Sequence, residues 1–156
     1  MVSNVMRIRA GVVIVVGGRI ALIERVKAGR TYYIVPGGGV VDGEYTEEAA
    51  RREAKEELGL DVTLERLFAV VERVERGAVT HVQLYYLVKT AAGVFGTGEG
   101  EEYGRSPTHG TYQAVWLPLA DVKEHHSYHK VLMEYLAENG IPKEILHLRE
   151  AADYPI

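Results

Sequence analysis

The stretch that decides the fold runs from Gly38 to Leu60 and reads GGVVDGEYTEEAARREAKEELGL. Its glycines predict a tight loop, and the run from Thr46 to Leu58 predicts a helix. Thr46 is the predicted N-cap, with acids in the first turn that complement the helix dipole. Gly59 supplies a left-handed stop. The stretch is therefore predicted to be a loop followed by one helix with acids at both ends.

Three glutamates of this helix share one face. Helix residues advance about 100° each, which places Glu56 at about -60° and Glu57 at about +40° from Glu53. Like charges at these spacings repel by roughly a few tenths of a kcal/mol. Carboxylates in the last turn also oppose the macrodipole, at roughly 0.3–1 kcal/mol each. Because a divalent cation would reverse these costs, the pattern favours a metal site over a solvated charged face.

Strands lie on both sides of this unit. Those before it are predicted at Arg7–Val16, Ile20–Val26 and Thr31–Val35, the first two joined by a hairpin turn at residues 17–19. Those after it are predicted at Leu64–Val74, Val79–Lys89 and Thr111–Leu117, and an amphipathic helix at Ser127–Glu138. This order predicts an α/β fold, an α/β/α sandwich on a mixed β-sheet. Residues 1–140 are expected to form one domain, with a C-terminal tail, residues 141–156, packed on it or extending from it.

Composition limits the class of protein. A chain of 156 residues with 47% hydrophobic and 26% charged residues is ordinary globular material. The net charge of -4 argues against a nucleic-acid scaffold, so phosphate binding would need a few local cations or metal ions. The absence of cysteine excludes disulfides and cysteine nucleophiles and fits a cytoplasmic location. The apolar run Gly11–Val16 is too short to span a membrane, and we expect no secretion signal.

The stretch resembles the Nudix box, Gly-x5-Glu-x7-Arg-Glu-U-x-Glu-Glu-x-Gly-U, in which U is a bulky aliphatic residue. The positions in register are Gly38, Glu44, Arg52, Glu53, Glu56, Glu57, Gly59 and Leu60. Ala54 is smaller than the usual residue at the first U, which should affect helix packing more than chemistry. A match at this many spaced positions is highly specific. The resemblance implies the sandwich fold of the Nudix hydrolases and a metal-dependent pyrophosphohydrolase activity.

The resemblance also implies roles for the residues of the box. Magnesium or manganese ions would be held by Gly38, Glu53, Glu56 and Glu57. Arg52 would orient these catalytic carboxylates, and Glu44 would pair with Arg52 to fix the loop against the helix. Gly59 would have a structural role in the motif. The metals would polarise phosphoryl oxygens and activate the attacking water.

The base that removes the proton from this water is left open. It is either a glutamate of the box or an acid in the glycine-rich loop Ala92–Gly110. The loop offers Glu99, Glu101 and Glu102, of which Glu101 and Glu102 are favoured as catalytic residues that close over the substrate. An ordinary solvated acidic loop is the alternative.

Candidate substrate-binding residues lie in the strands. Arg25 and Arg30 precede the glycine loop and could reach phosphates, with an exposed neutral role as the alternative. Tyr112 shares a strand face with Trp116 and could stack on a base, although packing on the sheet is the better interpretation. The histidines His125, His126 and His129 are interpreted as a solvated helix end rather than as a zinc site.

The expected substrate is a nucleoside diphosphate linked to another moiety, such as a nucleoside triphosphate or a nucleotide sugar. An ADP-ribose pyrophosphatase is the alternative, but the proline typical of that subgroup is missing at residues 74–76. The tyrosine typical of dinucleoside polyphosphate hydrolases is missing at residues 77–79. A non-catalytic nucleotide-sensing Nudix module is disfavoured by the intact box and by the lack of room for a second domain. We expect a small-molecule partner, neither membrane nor nucleic acid, and leave a homodimer open.

Overall fold

The computed structural model describes residues 5–104 and 107–151, without the side chains of residues 101, 102 and 107. The strands are β1 Arg7–Val13, β2 Val15–Val16, β3 Arg19–Lys27, β4 Arg30–Ile34, β5 Gly37–Gly39, β6 Leu60–Glu75, β7 Ala78–Gly93, β8 Thr111–Pro118 and β9 Leu146–Ala151. The α-helices are α1 Thr46–Leu58 and α2 Lys130–Asn139. Short 3-10 helices are Glu101–Gly104, Pro107–His109 and Leu119–Glu124. None of the helices described is long and apolar enough to cross a membrane.

The strands form two sheets. The larger has the order β5-β1-β7-β6-β9 and is mixed, because β1 runs parallel to β7 and β6 parallel to β9 while the other pairs are antiparallel. In the smaller sheet β3 is central and pairs antiparallel with β2, β4 and β8. The short strand β5 therefore sits at one edge of the larger sheet, directly before α1.

Alternate residues of the strands face two separate cores. Val12 of β1 packs in the core under α1, whereas Val13 packs in the core under α2. The apolar residues that α1 buries on its side are Ala49, Ala50, Ala54 and Leu58, and those that α2 buries are Leu132, Met133 and Leu136. A helix thus covers each face of the sheet layer. The predicted α/β/α sandwich on a mixed sheet is confirmed.

The first strand differs from the prediction. Arg7–Val16 was predicted as one strand, but it divides at Ile14 into β1 and β2, which belong to different sheets. The carbonyl of Ile14 accepts the N–H of Ala21 at 3.0 Å. The chain crosses between the sheets here, and because the Val-rich run continues through the crossing, hydrophobicity alone does not reveal it.

The helix α1 has the predicted bounds but a different cap. Its N-cap is Tyr45, whose N–H donates to Glu48 Oε2 at 3.0 Å. Thr46, predicted as the cap, is the first helical residue, and its hydroxyl is 2.7 Å from the hydroxyl of Tyr86. At the other end Gly59 is left-handed, with φ 76° and ψ 16°, as predicted. The helix is therefore fixed at both ends, and its acidic face has a defined direction.

The C-terminal part contains elements that the sequence did not indicate. Strand β9, Leu146–Ala151, adds to the free edge of β6 in parallel. The helix α2 begins at Lys130 rather than at Ser127, after a 3-10 helix over Leu119–Glu124. The residue before α2 is His129, at a positive φ of 64°.

Candidate active site

The loop before α1 approaches the helix closely at one glycine. A Cβ placed on Gly38 would lie 2.2 Å from Oε1 of Glu53. At the preceding position, a Cβ on Gly37 would lie 2.7 Å from the carbonyl oxygen of Ala10 in β1. The missing side chains let the loop lie between β1 and the acidic face of the helix. The Glu53 carboxylate consequently rests against the backbone of Gly38.

Arg52 gathers the acids of this region. Its Nη2 donates to Glu44 Oε1 at 2.8 Å and to the carbonyl of Gly39 at 3.0 Å, and its Nε donates to Glu44 Oε2 at 3.1 Å. Its Nη1 donates to Glu53 Oε1 at 2.9 Å and to Glu56 Oε2 at 3.1 Å. These bonds raise the pKa of Arg52, with Glu44 the largest contributor, and the same bond lowers the pKa of Glu44. One permanent cation therefore holds the loop and two helix carboxylates together.

The carboxylates of the helix differ in exposure. The side chain of Glu53 is 8% exposed and that of Glu56 is 42% exposed. Glu57 turns to the other side of the loop, where its Oε2 accepts the N–H of Gly37 at 3.1 Å. The open space beside them is a cavity of about 420 Å³ lined by Gly39, Val41, Arg52, Glu53, Glu56, Glu99 and Gly100. A ligand in this cavity would meet Glu56 first and Glu53 behind it.

No group of three acidic or histidine side chains in the described part of the chain converges on one point as a ready cation site. Arg52 bonds to both Glu53 and Glu56, and Glu57 bonds to the loop backbone. The donors themselves fit a hard divalent cation, because they are carboxylates on one helix face beside a glycine that leaves its backbone bare. The arrangement can hold such an ion if the carboxylates turn from these partners.

The glycine-rich loop after β7 is anchored on the end of α1. Gly96 N–H donates to the carbonyl of Leu58 at 3.0 Å, and Gly100 N–H donates to the carbonyl of Glu56 at 2.8 Å. The Tyr103 hydroxyl donates to the carbonyl of Glu57. These bonds cap the helix carbonyls and bring Glu99 to the wall of the acidic cavity.

The acids favoured in this loop remain predictions. The backbone of Glu101 and Glu102 begins a short 3-10 helix, and their side chains lie outside the described part. Among the described side chains of this loop, Glu99, which the sequence offered without preference, is the acid that lines the cavity. The position of Glu99 depends on the hydrogen bonds of Gly96 and Gly100 to the end of α1. Because that helix is distant in sequence, the sequence did not distinguish Glu99 from the other acids of the loop.

The predicted substrate residues divide into two groups. Arg25 and Tyr112 are opposite each other in the β3–β8 ladder, and the guanidinium carbon lies 4.6 Å from the Tyr112 ring centre. Tyr112 meets Tyr103 edge-on at 6.4 Å between ring centres, which links the pair to the end of α1. Arg30 is exposed at the turn end of β4, opposite Lys27. Within the described residues Arg30 makes no hydrogen bond or ion pair.

The interpretation of the histidine cluster as a solvated helix end is wrong for His129. Its side chain is buried, with Nδ1 3.0 Å from Glu150 Oε2 and 3.3 Å from Gln83 Nε2. His126 is exposed, and His125 packs edge-on against Tyr33. The sequence spacing did not reveal this, because the partners of His129 come from distant strands.

This loop, helix and sandwich, together with the family match over residues 5–136, define a hydrolase that acts on phosphoanhydride bonds. The NUDIX domain matches residues 5–136, most of the chain, and the protein therefore belongs to the Nudix family. Members of this family generally use divalent metal ions and act on small nucleotide substrates. The predicted family and enzyme class are confirmed.

Several solved structures have the same fold over most of this chain. The mutator MutT protein from Bacillus halodurans has a TM-score of 0.72 at 17% identity, over 96% of this chain and 94% of that chain. The MutT NUDIX hydrolase from Burkholderia pseudomallei has a TM-score of 0.64 at 27% identity, over 83% and 95%. The ORF135 protein of E. coli has a TM-score of 0.67 at 21% identity, over 89% and 95%. No curated protein matches the sequence.

Proposed function

We propose that this protein is a metal-dependent pyrophosphohydrolase. Its substrate would be a nucleoside diphosphate linked to another moiety, such as a nucleoside triphosphate or a nucleotide sugar. The observation that carries the proposal is the cluster in which Arg52 holds Glu53 and Glu56 beside the bare backbone of Gly38. Arg52 is one cation against the three carboxylates of Glu44, Glu53 and Glu56, so an excess of negative charge remains on this helix face, and a bound metal ion would balance it.

Magnesium or manganese is the proposed cofactor. The residues that would hold it are the Gly38 carbonyl, Glu53, Glu56 and Glu57. When bound, the metal would polarise phosphoryl oxygens and make the attacking water more acidic. The chain's own part is to supply hard oxygen donors at different depths, since Glu53 is buried and Glu56 is half exposed.

Arg52 and Glu44 are proposed as positioning residues. The two-point bond between them ties the loop to the helix, and the lowered pKa of Glu44 keeps it charged at neutral pH. Arg52 would then turn the catalytic carboxylates toward the cavity. Proton removal from the attacking water is assigned to a carboxylate of the cavity wall, Glu56 or Glu99, both of which face the space that water would enter. Glu101 and Glu102 stay predictions.

Arg25 and Tyr112 are proposed to contact the substrate. The guanidinium donates to the hydroxyl of Tyr32 at 2.7 Å and to the carbonyl of His109 at 2.6 Å, while its buried Nε has no partner among the described residues. The ladder places this cation beside the Tyr112 ring, so a phosphate and a base could be bound side by side. Arg30 stays a weaker prediction, because its side chain is exposed at the end of a hairpin.

The test is hydrolysis with matched variants. The protein is incubated with magnesium and a panel of nucleoside diphosphate derivatives, and release of nucleoside monophosphate, phosphate and pyrophosphate is followed. We expect Glu56→Gln and Glu57→Gln to lower kcat by about a hundredfold or more, the scale of losing one preorganised group. Glu47→Gln is the control, because Glu47 is an exposed acid in the first turn of the same helix and is not among the residues that line the acidic cavity.

Two outcomes would overturn the proposal. One is no hydrolysis across the panel with either metal. The other is equal activity in the wild type, the two site variants and the control.

We also propose that the enzyme works in the cytoplasm, where a chain without cysteine fits the reducing conditions. A homodimer stays a prediction, which sedimentation of the purified protein would test.

A further inference from the structure

Cationic side chains line up across three neighbouring strands at one end of the larger sheet. Arg7 of β1 is in register with His81 of β7, and His81 is in register with Arg73 of β6. Arg9 lies two residues further along β1, opposite Gln83. Partners in a ladder, and residues two apart in a strand, point to the same face. We call Arg7, Arg9, Arg73 and His81 the arginine row; it lies on the α2 face of the sheet.

The charge of this row is only partly balanced. Arg73 pairs with Glu75 at 3.1 Å, whereas Glu150, the other acid on this face, bonds to His129 at 3.0 Å. Arg7 and Arg9 form no ion pair with any residue in the described ranges. The whole chain has a net charge of -4, so this concentration of arginine runs against the average composition. Like charges on adjacent strands destabilise a sheet, which is a cost that an anionic ligand would remove.

The pKa of His81 responds to this field. Burial and the neighbouring Arg9, Arg73 and Arg7 lower it, and Glu75 opposes them only in part. The strand register places Arg7 and Arg73 directly beside His81 and Arg9 diagonally from it. The row presents a local excess of positive charge.

Gly37 connects the arginine row to the loop before α1. Arg9 Nη2 contacts the carbonyl of Gly37 at 3.4 Å, and the N–H of the same residue donates to Glu57 Oε2 at 3.1 Å. Arg7 lies two residues away along the strand, about 6–7 Å from Arg9 at the usual rise. An elongated substrate with its diphosphate at the acidic helix could pass the edge strand β5 and reach the row with its other end.

We propose that the arginine row is a substrate subsite for a second anionic group, a phosphate or a carboxylate carried beyond the scissile diphosphate. This inference rests on the proposed function and narrows it to nucleoside diphosphate derivatives that carry an additional anion. Arg7 and Arg9 bind the group directly, and Arg73, already paired with Glu75, adds to the field. The substrate is thereby selected at its far end, away from the bond that is cut.

Two matched pairs of compounds test this selection. Coenzyme A and 3′-dephospho-coenzyme A differ by one phosphate, and UDP-glucuronate and UDP-glucose differ by one carboxylate. We expect kcat/KM for the more anionic member to exceed that of its partner by about tenfold in at least one pair, the scale of one charge-assisted contact. Which pair responds shows whether the group is a phosphate or a carboxylate.

The variant Arg7→Gln should reduce that preference at least about threefold. The reduction should come from a lower kcat/KM for the more anionic member of the pair, whose extra group Arg7 would bind. Arg149→Gln is the matched control, because Arg149 is an 81% exposed arginine of the same sheet that contacts Glu72 on the other face. No preference in either pair, or an equal effect of both variants, overturns the inference.

A second measurement does not depend on turnover. The imidazole signals of His81 are followed by NMR in Glu56→Gln as UDP-glucuronate or coenzyme A, and then their less anionic partners UDP-glucose and 3′-dephospho-coenzyme A, are added. Binding of the extra anion should raise the pKa of His81, because it opposes the guanidinium groups that lower it. If no compound is hydrolysed but His81 responds, the proposed function fails and the subsite stands. If hydrolysis occurs without preference or response, only the subsite fails.

Discussion

Two polar clusters lie on opposite faces of the same sheet layer, and they are built differently. At the acidic helix, Arg52 holds side chains whose exposure rises from 8% in Glu53 to 42% in Glu56. Under α2, the side chains of His129 and Glu150 are 2% and 4% exposed. The first cluster keeps an open edge where partners can be exchanged for a ligand. The second is closed to solvent, so its bonds serve the fold alone.

The buried cluster joins three elements. The Tyr85 hydroxyl of β7 donates to Gln83 Oε1 at 3.0 Å, and His129, before α2, reaches Glu150 of β9. Nδ1 of His129 carries one proton at most, and the shorter contact assigns it to the bond with Glu150. Similar polar groups therefore give adaptability at an exposed edge and rigidity in a core.

The largest effect is expected from breaking the buried cluster. His129→Ala leaves Glu150 buried without its partner, and we expect a loss of about 3–5 kcal/mol in the free energy of unfolding. Urea denaturation followed by circular dichroism measures it. His126→Ala is the control, because His126 is an exposed histidine three residues away. A loss below about 1 kcal/mol, the size of an ordinary surface change, would contradict the closed character of this cluster.

The next effect comes from overfilling the open cluster. Gly38→Ala would place a Cβ 2.2 Å from Glu53 Oε1 and force that carboxylate aside. We expect kcat/KM to fall at least about tenfold and stability to fall by about 1–3 kcal/mol, as for other overpacked sites. Gly39→Ala is the control, since a Cβ there meets nothing within 4 Å. Equal activity of the two variants would show that the position of Glu53 does not matter.

A smaller effect on the free energy of unfolding is expected when the pH is lowered, because the buried cluster contains the titratable His129. Burial lowers the pKa of His129 from its usual 6.5, and Glu150 opposes this shift only in part; Arg9 and Arg73 act in the same direction as burial. The unfolded chain therefore binds this proton first, so stability should fall as the pH drops below 6.5, by at most about 1.4 kcal/mol per pH unit for one proton.

The same denaturation series, repeated between pH 7.5 and 5 or so, checks this linkage. The fall should shrink in His129→Ala and persist in His126→Ala, and His81, whose pKa is also lowered, accounts for part of the remainder. A slope unchanged by His129→Ala would sink the assignment of the neutral form.

The smallest effect is expected from Arg52→Lys. Lysine keeps the charge but cannot make the two-point bond to Glu44 while also reaching Glu53 and Glu56. We expect kcat/KM to fall about threefold to tenfold and stability to fall by about 1 kcal/mol. Full activity in the lysine variant would show that charge alone, rather than the fork of donors, orients the carboxylates.

Local chemistry explains which parts of the molecule could be predicted. The bounds of α1 follow from Gly59 and from the acids around it, so the sequence defined the helix and its acidic face. The contacts of Arg52 with Glu53 and Glu56 are also local, at one and four residues. The pairing of Arg52 with Glu44 was implied by the resemblance to the Nudix box, and it spans only the short loop before the helix.

The missed features depend on residues far apart in sequence. His129 meets Gln83 across 46 residues and Glu150 across 21, so no local period marks it as buried. Tyr103 bonds to the carbonyl of Glu57, again 46 residues away. Strand β9 is short and half of its residues are polar, and only its register with β6 identifies it as part of the sheet.

Strand β9 also affects how the protein behaves in solution. The edge of β6 that it covers would otherwise offer unpaired N–H and C=O groups to any passing extended chain. Glu150, fastened to His129, keeps that cover in place. We therefore expect the last described strand to protect the chain against aggregation. A shortened chain lacking residues from 146 onward should form assemblies at concentrations at which the full chain stays dispersed.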